Sequence, residues 1–276
     1  MLDRRPLVTV VIPCYNGAEH IDTLMRMMRR QSYTHLELLA IDDGSTDESA
    51  RIWANYPEVR LLRNEQNRGL AYTRNRGIRE ARGAYLHFMD IDDRINSRFY
   101  EQMVEALFTS GAETACCGMI HQAARGKTQL FGESRVYSDL YDRLRVTWVG
   151  RWGYAVRYLF RTSFLRENGL SFEEGRLIED LPFSFAAVCL TSSLVTVPGA
   201  EYLYVRTPGS IMKHSGREAH ERRQRDRRHA RERVLTIARE LGVERIPGVT
   251  CDQCAYRLRK LRQWLSPRQD CLTEER

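Results

Sequence analysis

The stretch LVTVVIPCYN, residues 7–16, decides the fold class. Its first six residues are apolar or β-branched without polar alternation, which is typical of a strand buried on both faces of a sheet. Pro13 is expected to end this strand, and Tyr15 and Asn16 follow at its carboxyl end. A central strand of a parallel sheet is therefore predicted near the start of the chain.

Strands and helices are predicted to alternate after this first strand. Ile21 and Met28 belong to a helical apolar pattern that ends at about Arg30, and Ser45 and Glu48 have the spacing of a capping box. Further strands are predicted at 36–41, 59–62, 84–89 and 115–120, and further helices at 45–53, 70–81 and 98–107. This alternation favours an α/β domain with a mostly parallel, Rossmann-like sheet and flanking helices.

Polar clusters follow three of the predicted strands. They are Pro13-Cys14-Tyr15-Asn16, Asp42-Asp43-Gly44-Ser45 and Asp90-Ile91-Asp92-Asp93. Ligands of doubly wound sheets bind outside the carboxyl ends of the strands. The three clusters therefore predict one binding site at one edge of the sheet.

The cluster at Asp90, Asp92 and Asp93 places three carboxylates in four residues. Hard divalent cations such as Mn²⁺ or Mg²⁺ take oxygen ligands and offset the repulsion between such acids. A cation also neutralises the charge that grows on a departing nucleoside diphosphate. Considered alone, the cluster fits equally well a turn whose acids precede a helix.

Two other acidic pairs have both a functional and a local interpretation. Asp42 and Asp43 fit carboxylates that accept hydrogen bonds from a nucleotide, or a turn in which Asp and Gly are common. Glu179 and Asp180 fit a general base for an acceptor hydroxyl. Acids at a helix start are also favoured by the helix dipole, and spacing alone favours that simpler interpretation.

Basic residues add weaker signals. Arg68 and Arg74 fit phosphate contacts, although an exposed arginine is the favoured interpretation of each. Lys213 and His214 fit a diphosphate or metal contact, although a single histidine is more often not a ligand.

The net charge of +7 is concentrated near the C-terminus, where eight arginines and four acids lie between Arg217 and Arg233. A helical basic tail is predicted there. Such a run fits nucleic acid, anionic lipid or an acidic substrate, and it fits a solvated helix face equally well.

The seven cysteines show no spacing typical of a disulfide framework. Cys116 and Cys117 lie in an apolar run and are predicted core thiols. Cys251 and Cys254 form a single C-x-x-C followed only by Cys271, so unligated thiols are favoured over a zinc site. A reducing cytoplasm fits these thiols, and the sequence shows neither a signal peptide nor an apolar membrane span. Any membrane contact is expected to be peripheral, on the cytoplasmic face of the inner membrane.

Several separated motifs agree in order and spacing between residues 10 and 93. They are VVIPCYN (10–16), IDDGSTD (41–47), NRG (67–69) with Ala71, RNRGI (74–78), ARG (81–83) and FMDIDD (88–93). Together they resemble the family 2 glycosyltransferases. Looser matches follow at 161–165, 167–170, Phe172, 179–183 and 202–210, whereas the C-terminal segment matches nothing in the family.

This resemblance implies a GT-A fold, a nucleotide-diphosphate sugar donor with a UDP-sugar favoured, Mn²⁺ or Mg²⁺, and inverting transfer to a glycan or lipid-linked acceptor. It implies that Pro13 and Tyr15 line the nucleotide and that Asp42 contacts the base. Asp90 is expected at the ribose or diphosphate, and Asp92 is expected to ligate the metal. The pathway expected from this family is cell-surface polysaccharide synthesis.

The resemblance also assigns the proton transfer. Asp180 is the expected catalytic base, and Glu179 supports it. Further candidates are Asn16, Asp43 and Arg74 on the donor side, Asp90 as a second metal ligand, and His214 as a weak third one.

The sequence departs from the family at two places. Ile91 stands where the family often has a small residue, and a basic residue of its acceptor segment appears as Tyr158 or is displaced to Arg157. Aromatic residues crowd the same segment, namely Trp148, Trp152, Tyr154, Tyr158 and Phe160. The expected organisation is a nucleotide-sugar half (1–120), an acceptor half of the same domain (121–215) and a helical arginine-rich extension (216–276).

Other classes of protein remain as alternatives. A sugar nucleotidyltransferase shares the layered architecture but usually has a glycine-rich loop after the first strand, where this chain has Pro13-Cys14-Tyr15-Asn16-Gly17. The lack of G-x-G-x-x-G there argues against a dinucleotide oxidoreductase. A module without transfer activity would use the basic run on nucleic acid or on an anionic membrane. Of these two partners the membrane is expected and nucleic acid is not.

Overall fold

The computed structural model describes residues 5–122, 128–206 and 216–247. Its strands are β1 (Val8–Cys14), β2 (Leu36–Asp42), β3 (Val59–Arg63), β4 (Tyr85–Phe88), β5 (Arg94–Ile95), β6 (Thr114–His121), β7 (Thr128–Gln129), β8 (Arg135–Tyr137), β9 (Tyr158–Arg161) and β10 (Leu194–Tyr204). Its α-helices are α1 (Ala18–Met28), α2 (Ser49–Trp53), α3 (Leu70–Glu80), α4 (Phe99–Ser110), α5 (Leu140–Thr147), α6 (Thr162–Glu167), α7 (Asp180–Leu190) and α8 (Arg217–Glu240). A short 3₁₀ helix covers Ala155–Arg157.

The strands form one sheet in the order β3-β2-β1-β4-β9-β6-β10-β5, with β7 and β8 paired to β6 and β10. β1 to β4 are parallel to one another, as the sequence predicts. β6 and β10 are also parallel. β9 lies between β4 and β6 and is antiparallel to both, which joins the two parallel groups. The predicted α/β class with a central sheet and flanking helices is confirmed.

The first strand is longer than predicted, because it continues through Pro13 to Cys14. Val11 and Pro13 share the edge of β1 that faces β4, yet β1 and β4 pair only as far as Val11 and Phe88. Proline has no backbone N–H, but β1 and β4 are no longer paired at Pro13, so no hydrogen bond between the two strands is lost there. The prediction that Pro13 ends the strand was therefore wrong.

The predicted capping box is wrong as well. α2 begins at Ser49, and the Ser45 side chain accepts a hydrogen bond from the backbone N–H of Asn16 at 2.9 Å. Asp47 Oδ1 accepts from Ser49 N at 3.0 Å. The side chain of Ser45 is thus used in a contact between loops, which the local spacing cannot indicate.

Close packing of α3 on β1 depends on Gly77. A Cβ at this position would lie 2.3 Å from Val11 Cγ1. Although alanine has a better helix propensity than glycine, we expect Gly77→Ala to destabilise the fold by about 1–3 kcal/mol, because Val11 is fully buried and its strand would have to move. Urea unfolding measures the change.

Gly132→Ala is the matched control, because a Cβ at Gly132 meets no atom within 4 Å. Equal unfolding midpoints for the two variants would contradict this account of the α3–β1 contact.

The basic run forms one long helix, α8, that packs against α7. Four residues at four-residue spacing form its buried stripe, namely Asp226, Ala230, Val234 and Ala238. Asp226 accepts hydrogen bonds from Arg176 Nη1 at 3.2 Å and Leu177 N at 3.1 Å, which connects α8 to the segment before α7. Among the residues that the structure describes, none of the helices combines the length and apolar character needed to cross a bilayer.

The predicted core thiols are confirmed, since Cys116 and Cys117 are fully buried in β6. Lys213, His214, Cys251, Cys254 and Cys271 lie outside the described residues. The interpretations of those five positions stay predictions.

Candidate active site

The carboxyl ends of β1 and β2 lie side by side. Cys14 is in register with Asp42, and the backbone N–H of Asp43 donates to Cys14 O at 2.7 Å. β4 is the other neighbour of β1, and Asp90 follows its end. The three polar clusters predicted from the sequence therefore follow three adjacent strands at one edge of the sheet.

Asp42 presents a buried carboxylate at this edge. Its side chain is 0% exposed, and Oδ1 accepts from Ser45 N at 2.9 Å. Arg63 Nε lies 3.2 Å from Oδ2, but its geometry is not that of a hydrogen bond, so Oδ2 accepts none from the described residues. A buried acceptor in this state is costly unless a donor reaches it. Asp42 can thus accept an N–H or O–H from a ligand.

Both carboxylate oxygens of Asp43 accept hydrogen bonds from the protein itself. Oδ1 accepts from Asn64 Nδ2 at 2.6 Å and Arg68 N at 2.9 Å, and Oδ2 accepts from Gly69 N at 2.8 Å. These contacts hold the loop before α3 against β2. Asp43 thus fixes the position of this loop, and its expected contact with a donor stays a prediction.

Asn16 has a similar internal role. It adopts a positive φ of 49°, and its Oδ1 accepts from Thr46 N at 2.8 Å and Asp47 N at 3.3 Å. Asparagine tolerates this left-handed conformation better than most residues. The contacts join the loop after β1 to the loop after β2. In the same cluster Pro13 is buried, whereas Tyr15 is 48% exposed and open to a ligand.

Arg74 joins the two acidic motifs that lie far apart in sequence. Its Nη2 donates to Asp90 Oδ1 at 2.7 Å, and its Nη1 donates to Glu179 Oε1 at 2.9 Å across 105 residues of sequence. The guanidinium carbon also lies 5.4 Å from the centre of the Phe172 ring. Burial lowers the pKa of Arg74, but the charges of Asp90 and Glu179 outweigh that effect and hold the pKa above its usual value.

The expectation of an exposed arginine is wrong for Arg74, which is 2% exposed, and right for Arg68. Arg68 lies on the surface with its guanidinium 4.3 Å from the centre of the Tyr72 ring. Arg74 differs because it occupies the buried face of α3, where two carboxylates stabilise its charge. This pairing positions the Asp90 cluster beside the start of α7.

Asp93 anchors the acidic loop to the sheet. It is 1% exposed, Tyr202 Oη donates to its Oδ2 at 2.7 Å, and Val205 N donates to its Oδ1 at 2.8 Å. Burial and the nearby Asp90 carboxylate raise the pKa of Asp93 to about 8. Tyr202 also accepts the backbone N–H of Asp90 at 3.3 Å, a contact that sequence reasoning missed although the 202–210 segment belongs to the resemblance.

Asp90 and Asp92, the other two acids of this loop, could bind a cation together with a diphosphate. Asp90 and Asp92 are partly exposed, and Arg94 Nη1 fixes their loop by donating to the backbone carbonyl oxygens of Asp92 and Asp93. Within the described ranges, no group of three or more acid, histidine or cysteine side chains is arranged to hold a metal alone. Mg²⁺ typically binds one or two carboxylates together with substrate phosphates and water, and Mn²⁺ prefers the same ligands. The donor set therefore suits Mg²⁺ or Mn²⁺ bound jointly with a phosphorylated ligand.

Glu179 and Asp180 lie at the start of α7. Glu179 is 6% exposed and pairs with Arg74, whereas Asp180 is partly exposed. Burial raises the pKa of both groups, and the neighbouring Glu179 carboxylate helps to raise the pKa of Asp180 to about 8. A carboxylate with a raised pKa is a stronger base than an ordinary one, which suits proton abstraction from a hydroxyl.

A mixed sheet with polar clusters, two of them acidic, at the carboxyl ends of three adjacent strands is the arrangement expected of a glycosyltransferase with a GT-A fold. Residues 9–152 match the model of the family described as "Glycosyl transferase family 2", which is more than half of the 276-residue chain. The chain belongs to this family.

Curated relatives carry glycosyltransferase names. The chain is 28% identical over 217 residues to the "Uncharacterized glycosyltransferase EpsJ" of Bacillus subtilis, covering 75% of this chain and 63% of that protein. It is 27% identical over 222 residues to the "Succinoglycan biosynthesis protein ExoO" of Rhizobium meliloti, covering 76% of this chain and 64% of that protein. The chain therefore spans somewhat less than two thirds of the length of these relatives.

Solved structures show the same GT-A fold. S. aureus TarS 1-349, solved in complex with UDP-GlcNAc, aligns with a TM-score of 0.67 and 19% identity over 93% of this chain and 78% of that chain. The mannosyltransferase PcManGT from Pyrobaculum calidifontis, solved with GDP-Man and Mn²⁺, aligns with a TM-score of 0.55 and 17% identity over 96% of this chain and 82% of that chain.

Proposed function

We propose that this protein is an inverting, metal-dependent glycosyltransferase that moves a sugar from a nucleotide-diphosphate donor to a glycan or lipid-linked acceptor. The bridge from Asp90 through Arg74 to Glu179 carries the proposal, because it holds the donor-side acids beside the candidate base Asp180. The relative that is named for succinoglycan biosynthesis supports a place in cell-surface polysaccharide synthesis.

In this proposal residues 1–120 form the half of the protein that binds the donor. The exposed Tyr15 lines the nucleotide beside the buried Pro13, and Oδ2 of Asp42, which accepts no hydrogen bond from the described residues, accepts one from the base. Asp90 and Asp92 would hold Mn²⁺ or Mg²⁺, and the bound ion would supply positive charge to neutralise a departing diphosphate. A UDP-sugar is the favoured donor, in line with the UDP-GlcNAc complex of TarS, although PcManGT was solved with GDP-Man.

In the same proposal residues 121–215 form the half of the protein that binds the acceptor, and residues 216–276 form an extension. Asp180 takes the proton of the acceptor hydroxyl while its oxygen attacks the anomeric carbon of the donor sugar. The bond from that carbon to the diphosphate oxygen breaks, and its electron pair leaves with the nucleoside diphosphate. Attack from the face opposite the leaving group inverts the anomeric configuration. Arg74 keeps Glu179, the neighbour of Asp180, in place.

Thermal denaturation tests the donor and metal site directly. UDP with Mn²⁺ should raise the melting temperature of the protein, because a ligand at 100 times its Kd stabilises the folded state by about 2.7 kcal/mol. Asp92→Asn should lose most of the Mn²⁺-dependent part of this shift, since it removes a charged cation ligand.

Asp142→Asn is the matched control, because Asp142 is a partly exposed acid of α5 that pairs only with Arg145 among the salt bridges of the described residues. A full Mn²⁺-dependent shift in Asp92→Asn would remove Asp92 from the metal site.

We also propose that the outer face of α8 contacts an anionic membrane, which would place the enzyme peripherally on the cytoplasmic face of the inner membrane. Arg217 and Arg222 are paired with acids of the same helix. Four other arginines of α8 are exposed and form no salt bridge with the described residues, namely Arg225, Arg227, Arg228 and Arg231. Each basic residue near an anionic surface strengthens binding roughly fivefold.

Vesicle sedimentation tests this surface. Replacing Arg225 and Arg228 together with glutamine should weaken binding to phosphatidylserine-containing vesicles by roughly 25-fold. Arg98→Gln, at an exposed position before α4, serves as the control. Unchanged vesicle binding in the double variant, or salt-sensitive binding to RNA in place of vesicles, would refute a membrane role.

A further inference from the structure

Four aromatic side chains form a cluster that we call the aromatic basin, namely His121, Trp152, Tyr154 and Tyr204. The centre of the His121 ring lies 5.3 Å from those of Trp152 and Tyr154 and 5.1 Å from that of Tyr204. The four residues come from the end of β6, the segment before the 3₁₀ helix, and the end of β10. All four are partly exposed, so the cluster is not simply part of the core.

The aromatic basin adjoins the candidate base. Gly153, between Trp152 and Tyr154, packs so tightly that a Cβ there would lie 2.5 Å from Leu181 Cα. Leu181 directly follows Asp180 at the start of α7. Burial, together with the nearby Asp180 carboxylate, raises the pKa of Tyr154 to about 12, in agreement with this closeness.

The other end of the aromatic basin adjoins the donor-side acids. Tyr204 immediately precedes Val205, whose N–H donates to Asp93 Oδ1 at 2.8 Å. Tyr202, two residues earlier, donates to the other oxygen of Asp93. The aromatic basin therefore extends from the loop of Asp93 to the start of α7, where the candidate base Asp180 lies.

Trp152 is also supported from inside the fold. The guanidinium carbon of Arg157 lies 5.9 Å from the centre of the Trp152 ring, and Arg157 is 0% exposed. Arg157 Nη1 donates to Thr147 O at 3.0 Å, which ties the aromatic segment to the end of α5. A ring held in this way loses little conformational freedom when a ligand binds, which favours affinity.

These contacts separate the aromatic residues of the segment by role. Tyr158 and Phe160 are fully buried core residues, and Trp148 is 44% exposed but makes no ring contact with the aromatic basin in the described structure. Only Trp152 and Tyr154 combine partial exposure with a place beside Asp180. Aromatic faces carry negative charge density, and the C–H face of a sugar ring is apolar and weakly positive, so the two surfaces are complementary.

We propose that the aromatic basin binds the terminal sugar ring of the acceptor by stacking and presents one of its hydroxyls to Asp180. This inference rests on the proposed function, and it specifies a carbohydrate at this subsite in place of a lipid tail. Trp152 and Tyr154 are the principal contacts, whereas His121 and Tyr204 complete the surface toward the Asp93 loop.

Indole ¹⁵N–¹H spectra of the full chain test the subsite without requiring turnover. The protein is titrated with a panel of methyl glycosides in the presence and absence of UDP and Mg²⁺, with the acyclic polyol sorbitol as the control ligand. We expect at least one glycoside, but not sorbitol, to shift the Trp152 resonance, which Trp152→Phe identifies by its loss. The resonance of Trp53, which is 1% exposed, should not move.

Saturation-transfer NMR on the bound glycoside then ranks the variants. Trp152→Leu should weaken glycoside binding about tenfold or more, because truncating an aromatic anchor removes one of the few contacts that dominate affinity. Trp152→Phe should retain most of the affinity, and Trp148→Leu should retain all of it.

Two results would overturn the inference. One is a Trp152 resonance that no glycoside moves. The other is wild-type glycoside affinity in Trp152→Leu. The melting-temperature shift with UDP and Mn²⁺ tests the proposed transferase function separately, so loss of donor binding and loss of sugar stacking are distinguished.

Discussion

Asp180→Asn should lower kcat by about 10²–10⁴-fold and leave donor binding intact, since a positioned general base contributes a factor of this size. The amide keeps the shape of the side chain at the start of α7 but cannot take the proton of the acceptor hydroxyl. The melting-temperature shift with UDP and Mn²⁺ should equal that of the wild-type protein. Release of UDP from a UDP-sugar in the presence of acceptor measures the rate.

The pH dependence of the wild-type enzyme gives a second readout of the same residue. Because the pKa of Asp180 is raised to about 8, the carboxyl is largely protonated at lower pH and becomes a base as the pH rises. We therefore expect kcat/KM for the acceptor to increase with pH up to about 8 and then to level off. Asp180→Asn should abolish this increase.

Asp142→Asn again provides the control, because its carboxylate lies on the surface of α5 and pairs with Arg145. It should keep both the wild-type rate and the wild-type pH profile. An Asp180→Asn variant that retained full transfer would show that another group takes the proton.

Arg74→Met should cause the largest loss of stability, about 3–5 kcal/mol in the free energy of unfolding. Methionine fills a similar volume but leaves the buried Glu179 and the partly buried Asp90 without their shared cation. Removal of one partner from a buried ion pair is far more costly than removal of both. Urea unfolding at a fixed pH measures the change.

The pH dependence of this loss follows from Glu179. Burial raises the pKa of Glu179 above its usual value and the Arg74 charge lowers it, so loss of Arg74 should raise this pKa further in the folded state. Such a group stabilises the fold while it is protonated, and this contribution is lost as the pH rises through the folded-state pKa. The deficit of Arg74→Met should therefore be larger at pH 8 than at pH 5.

Two variants sharpen the interpretation. Arg74→Met combined with Glu179→Gln should recover part of the lost stability, because the second substitution removes one of the unpaired charges. Arg98→Met, at a surface position before α4, should leave the unfolding midpoint unchanged. An Arg74→Met loss no larger than that of Arg98→Met would mean that the buried bridge is not a stabilising element.

The sequence predicts the donor half of the fold well because its signals are local. The unbroken apolar run before Pro13 marks a central strand, and the same logic places Asp42 and Asp90 at strand ends. Parallel strands with short connections then bring those ends to one edge of the sheet, whatever the other side chains do. The ordered motifs of residues 10–93 identify the family for the same reason.

Sequence spacing predicts the use of individual polar side chains poorly. Ser45 has the spacing of a cap, but its hydroxyl accepts a hydrogen bond from Asn16 N of the neighbouring loop. The carboxylate oxygens of Asp43 accept hydrogen bonds from the loop before α3. Asp93 looks equivalent to Asp92 in sequence, yet Tyr202 and Val205 N–H engage it from more than 100 residues away. A hydrogen bond depends on distance and angle in space, which a one-dimensional pattern does not contain.

The sequence by itself determined the α/β class, the family, and the acids at the strand ends. Only the tertiary structure decided that Arg74 is buried between Asp90 and Glu179, and that rings from three separate segments meet beside Asp180. The physical reason is the separation along the chain over which each interaction acts. Strand and helix patterns reflect interactions within a few residues, whereas burial of a charge and contact between rings depend on which distant segments pack together.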